Sequence, residues 1–67
     1  MNIMINGTPV KVPQDATLAS ILKERNLFEQ PGVAVAKNRT LIRRAEWSNT
    51  AIHEGDELEI LHATAGG

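Results

Sequence analysis

The stretch "MNIMINGTPVKV" at residues 1–12 leaves little freedom in how the chain can begin. Met1, Ile3 and Ile5 fall on one side of a strand, Asn6-Gly7 interrupts, and Val10 and Val12 alternate beyond it. Asn-Gly accepts the positive φ angles that a tight two-residue turn demands, so the segment predicts a β-hairpin with one apolar face. The period then changes. In "PQDATLASILKERNLF" Leu18, Ile21, Leu22 and Arg25 recur at helical spacing, and Pro13 ends the preceding strand. Thr17 is a candidate N-cap with Asp15 competing, and Asn26 can close the helix in a left-handed conformation. Neither a one-faced hairpin nor an amphipathic helix can bury its apolar side alone, so the helix must lie across the sheet.

The remainder supplies more sheet. "PGVAVAKN" opens with a turn and sets Val33 and Val35 on one side, with Ala34 and Ala36 on the other. Asn38-Arg39 reads as a turn into a short strand at Thr40 to Ile42. "RRAEWSNTAI" reads as irregular, with Trp47 covering the edge of the core. "HEGDELEILH" gives a turn at Glu54-Gly55-Asp56 and a strand whose Leu58 and Ile60 face inward while Glu57 and Glu59 face out. The order strand, strand, helix, strand, short strand, strand predicts an α+β domain, a mixed sheet of four to five strands with one main helix on one face. The expected core is Ile3, Ile5, Val10, Val12, Leu18, Ile21, Leu22, Val33, Val35, Leu41, Ile52, Leu58 and Ile60. Residues 1–62 form the domain and 63–67 a flexible tail.

Several function classes fall away. A chain of 67 residues has room for one domain and one small core. Without cysteine there is no disulfide framework and no thiolate site, which fits a reducing cytoplasm. A formal charge of -1 with mixed signs offers no broad field for nucleic acid or an anionic membrane. No apolar run approaches the ~20 residues that span a bilayer, so a soluble, unexported protein is expected. His53 and His62 lack the further ligands a metal site requires. Glu57 and Glu59 share an outward strand face near Glu54 and Asp56, where a solvated edge explains them better than a catalytic pair. Lys37, Arg39, Arg43 and Arg44 form a basic cluster with only Trp47 as a nearby aromatic. That is poor for RNA stacking and better suited to a solvated face or, second, to partner docking. There is no glycine-rich phosphate loop, so no nucleotide is expected to bind this chain itself.

The arrangement resembles the β-grasp, or ubiquitin-like, fold. Within it, "INGTPVKVPQDATLASIL", "GVAVAKN" followed by "RRAEW", "EGDELEIL" and the final Gly66-Gly67 together resemble the ThiS family, the sulfur carriers of thiamine biosynthesis. The resemblance spans essentially the whole chain. It departs from the family where Arg43 replaces a frequent proline and where the Asn38-Arg39-Thr40 turn has no glycine. A related possibility is the small subunit of molybdopterin synthase, which also ends in Gly-Gly but is usually longer and richer in phenylalanine. From a different class, a non-covalent interaction module or a protein modifier remains open.

The resemblance implies a protein co-substrate, not an enzyme. An E1-like adenylyltransferase of the ThiF type would use ATP to adenylate the carboxylate of Gly67. Sulfur from a donor such as a cysteine desulfurase system would displace AMP to leave a thiocarboxylate, and a thiazole synthase of the ThiG type would receive the sulfur. Gly66 and Ala65 would grant access, because small residues let a narrow channel close around the backbone. The six residues after Leu61 can extend ~20 Å, enough to enter a partner's active site. If the first and last strands are neighbours, Met4 and Leu61 sit together on the face away from the helix, bordered by Glu57 and Glu59, as a docking patch for the activating enzyme.

Overall fold

The computed structural model describes residues 1–63. Five strands, β1 (Asn2–Ile5), β2 (Thr8–Lys11), β3 (Val33–Lys37), β4 (Thr40–Ile42) and β5 (Glu57–His62), form one sheet in the order β2-β1-β5-β3-β4. β1 and β5 run parallel at the centre, while β2, β3 and β4 pair antiparallel with their neighbours. The helix α1 (Leu18–Glu24) packs on one face, completing the β-grasp arrangement.

Local chemistry explains each element. Asn6 and Gly7 take φ values of 50° and 81°, the pair of positive angles expected of the hairpin turn. Thr17, not Asp15, caps α1: its Oγ1 accepts from Ser20 N at 3.1 Å, while Ser20 Oγ accepts from Thr17 N at 2.9 Å. At the far end Asn26 has φ 60° and Leu27 N donates back to Leu22 O at 2.8 Å, closing the helix as expected.

Met1 and Val12 exchange both backbone bonds across the hairpin. By alternation Thr8 and Val10 also turn their backbone groups towards β1, and Pro9 and Lys11 turn theirs to the open edge.

Three expectations for the core need correction. Trp47 does not cover its edge; it is 1% exposed at its centre. The segment expected to be irregular forms a 3₁₀ helix, Arg44–Asn49, that carries the indole inward, where Nε1 donates to Ile42 O at 3.1 Å. Leu41, expected inside, is 69% exposed. The two-residue turn at Asn38-Arg39 pairs Ala36 with Leu41 and Val35 with Ile42. Since Val35 points in, Ile42 follows it and Leu41 must point out. Val10, Val12 and Val33 lie at the margin of the core, while Ala16 and Ala19 are buried within it.

Candidate functional site

The sheet face opposite α1 carries the side chains left out of the core. On β5 these are Glu57, Glu59 and Leu61; on β3, Ala34 and Ala36; on β4, Leu41. Ala36 lies between Glu59 and Leu41, and Ala34 lies beside Leu61. Two alanines flanked by two exposed leucines leave a shallow apolar hollow, with Leu61 71% exposed and Glu59 at its border. Next to it, Asn38, Arg39, Glu57 and Glu59 line a polar hollow.

Met4 and Leu61 share this face but do not sit together. The register sets Met4 against Glu57 and Leu61 against Ala34. Four residues along one strand separate the two positions by ~13 Å. The large apolar residue that shares the hollow with Leu61, across Ala34 and Ala36, is Leu41, a residue the strand pattern had assigned to the core. The length of the Asn38-Arg39 turn was the signal that could have found it.

Two asparagines in left-handed turn conformations fasten β5, Asn38 at its start and Asn6 further along, at Ile60. Asn6 Nδ2 donates to Ile60 O at 3.1 Å and Asn6 Oδ1 accepts from Ile60 N at 2.8 Å, so its amide acts as one further residue of β1. Asn38 Oδ1 accepts from Glu57 N at 2.9 Å, and its Nδ2 donates to Asp56 Oδ1 at 3.0 Å. The other Asp56 oxygen accepts from His53 N at 2.8 Å. Burial pushes the Asp56 carboxyl up, but the Asn38 amide, the His53 N–H and the charges of Lys37 and His53 outweigh it and hold the pKa below its ordinary value.

The basic cluster does not act as a unit. Arg44 folds back, Nη1 donating to Phe28 O at 2.8 Å and Nη2 to Gln30 O at 2.6 Å, with the guanidinium 4.5 Å from the Trp47 ring centre. Lys37 Nζ donates to Ala51 O at 3.3 Å. Among the described residues no group of three His, Asp or Glu converges on a point, and His53 is solvent-facing. Among the described residues no helix is long and apolar enough to cross a membrane. The expected reacting residues Gly67, Gly66 and Ala65 lie outside the described residues. The chain approaches them through Ala63, whose N donates to Gly32 O at 3.0 Å.

A strand that is fastened at one end and runs out beside an apolar face at the other suits a protein whose terminus is presented to partners. Residues 2–67 match the ThiS family. The chain belongs to the ThiS family. Among curated relatives of this ThiS-family chain, the sulfur carrier protein ThiS of Escherichia coli K12 is 25% identical over 67 residues, covering 100% of both chains. A thiazole synthase of Magnetococcus marinus is 30% identical over 67 residues, 100% of this chain. The chain spans only 20% of the length of that synthase. The crystal structure of the thiamine biosynthesis protein ThiS of Geobacter metallireducens superposes with a TM-score of 0.82 at 26% identity, covering 100% of both chains. A solution structure of a thiamine biosynthesis protein from the same organism gives 0.82 and 26%, covering 100% of this chain and 88% of that one. The β-grasp fold is thereby established, and this ThiS-family protein is a sulfur carrier of thiamine biosynthesis.

Proposed function

We propose that the chain carries sulfur on the carboxylate of Gly67, as a protein co-substrate with no catalytic site of its own. A carboxylate is a poor electrophile, so one of its oxygens must first become part of a leaving group. On an E1-like adenylyltransferase of the ThiF type, a Gly67 carboxylate oxygen attacks the α-phosphorus of ATP and pyrophosphate departs, leaving an acyl-adenylate. The outer sulfur of a persulfide, supplied by a donor such as a cysteine desulfurase system, then adds at the carbonyl carbon and AMP leaves; a thiol cleaves the resulting acyl disulfide and is itself oxidised to a disulfide with the donor's sulfur. The product is a thiocarboxylate, which passes its sulfur to a thiazole synthase of the ThiG type. ATP is used by the partner and not held by this chain.

The observation that carries this reading is the extent of the match: the family reaches residue 67, and the E. coli carrier aligns over 100% of both chains. That one thiazole synthase contains a stretch similar to the whole of this chain supports the assignment of the receiving partner. The open sheet face is the docking surface for the activating enzyme. Leu61 and Leu41 supply its apolar contacts, Glu57 and Glu59 its border, and Met4 an outlying contact across β5. Ala65 and Gly66 add no bulk where the terminus must enter a channel.

Intact-mass measurement after incubation with ATP, the adenylyltransferase and a sulfur source tests the reading. The expected product has one oxygen replaced by one sulfur at Gly67, and a chain lacking Gly67 gives none. A non-covalent module would keep its partner binding without Gly67, and a modifier would yield isopeptide-linked adducts.

A further inference from the structure

The glycines at 7, 32 and 55 share positive φ angles of 81°, 76° and 83° but differ in what surrounds them. A Cβ at Gly7 or Gly55 would meet nothing within 4 Å. A Cβ at Gly32 would collide with the backbone carbonyl oxygen of Ala63. Turn conformation alone therefore accounts for two of the glycines, and the third has an additional neighbour to answer to.

That neighbour is the last described residue before the C-terminal segment. Gly32 and Ala63 continue the β3–β5 register one step beyond the Val33–His62 pair. Ala63 N donates to Gly32 O at 3.0 Å, so Gly32 accepts with its carbonyl and presents its bare Cα to the carbonyl of Ala63. The loop bearing Gly32 is itself fastened to the core. Arg44 bridges the carbonyls of Phe28 and Gln30 and lies on the face of Trp47, which is anchored through Ile42 O. Lys23 Nζ sits 4.7 Å over the Phe28 ring, and that ring stands 6.1 Å from the indole. Contacts thus run from the buried indole through Arg44 to Gln30, and two residues further along the chain Gly32 receives Ala63.

We propose that Gly32 is a positioning residue for the carrier reaction: it seats Ala63, and the Arg44 clamp holds that seat, so that the chain leaves the sheet in one direction relative to Leu61 and Leu41. This rests on the carrier reading above and adds to it how the terminus is aimed. A partner that grips the open face then meets Ala63 at a fixed place beside it. A small displacement of a reacting group is costly, of the order of a hundredfold in rate for about 1 Å.

The test compares Gly32→Ala with Gly7→Ala and Gly55→Ala, which share the positive-φ strain without the collision. Steady-state acyl-adenylate formation with ATP and the adenylyltransferase should show kcat lowered tenfold or more for Gly32→Ala, with KM near that of wild type because the docking face is untouched. The two control variants should match wild type in kcat. If Gly32→Ala performs like the controls, or loses only KM, the proposal is wrong. Should Gly32→Ala fail to fold, Arg44→Lys takes its place, since a single ammonium cannot span both carbonyls. It must lower kcat at unchanged KM, and a wild-type kcat overturns the proposal. Hydrogen exchange at the Ala63 amide, read without any partner, separates this idea from the carrier reading. Protection present in wild type and Gly7→Ala but lost in Gly32→Ala supports the seat even if no sulfur is loaded, and an Ala63 amide unprotected in wild type removes it.

Discussion

The two ends of β5 are built on opposite principles. At its start, Asp56 is buried with both carboxylate oxygens engaged, Leu58 is 1% exposed, and the Asn38 side chain hydrogen-bonds Glu57 N, with the Asn6 amide holding Ile60 further along. At its finish, Leu61 is 71% exposed, His62 and Ala63 are exposed, and the backbone bond beyond the strand runs from Ala63 to Gly32. Six residues of one strand therefore pass from anchorage to presentation. Both suit a carrier: a fixed body, and an exposed strand end beside the open face.

The contrast can be broken most severely at Leu58. Leu58→Ala removes a large side chain from the centre of the core and should cost about 2–5 kcal/mol, measured by chemical denaturation. In so small a domain that can consume most of the stability.

Asp56→Asn comes next, at about 1.5–3 kcal/mol near neutral pH, because it weakens charge-assisted bonds to the His53 N–H and the Asn38 amide. It also changes the response to acid. The folded pKa of Asp56 lies below its ordinary value, so the unfolded chain binds more protons in the interval between the two. Wild-type stability is therefore complete above the unfolded pKa of about 3.9 and lost as pH falls through the folded one. Denaturation midpoints recorded between neutral pH and acid should fall for wild type and stay flatter for Asp56→Asn.

Asn6→Gly keeps the turn angles but deletes the two amide bonds to Ile60. It should cost about 1–2 kcal/mol, with faster hydrogen exchange at the Ile60 amide. The smallest effect on stability belongs to the presenting end. Leu61→Asp should shift the unfolding free energy by no more than about 0.5 kcal/mol, yet raise KM for adenylation while leaving kcat unchanged. If instead it unfolds the protein, the two ends are not distinct.

Most of the anchoring framework was readable from the residues, because turns and caps are local. Asn6-Gly7, Thr17 and Asn26 declare their conformations through their own chemistry, and Leu58 and Ile60 through alternation. Trp47 was misplaced because a 3₁₀ turn bearing one apolar residue has no period to detect, and because the carbonyl that satisfies its N–H, Ile42 O, lies on another element. Leu41 was misplaced because a three-residue strand has too little alternation to fix its phase; the preceding turn fixes it instead. Of the open face, Glu57, Glu59 and Leu61 were assigned correctly to the outer side of the sheet. The spacing between Met4 and Leu61 depends on the stagger of two parallel strands far apart in the chain, which no local pattern carries. Nor does "PG" at 31–32 reveal that Ala63 leans on it, since that contact joins segments brought together only by folding.

The outward positions at the β2 edge hold one more consequence. Of Pro9 and Lys11, only the lysine has an N–H to offer, and it brings a positive charge with it. A strand from another molecule seeking to lengthen the sheet on this side meets a broken row of donors, so fibril-like stacking stops before it starts. Copies of the protein are thus hindered from joining through the β2 side of the sheet.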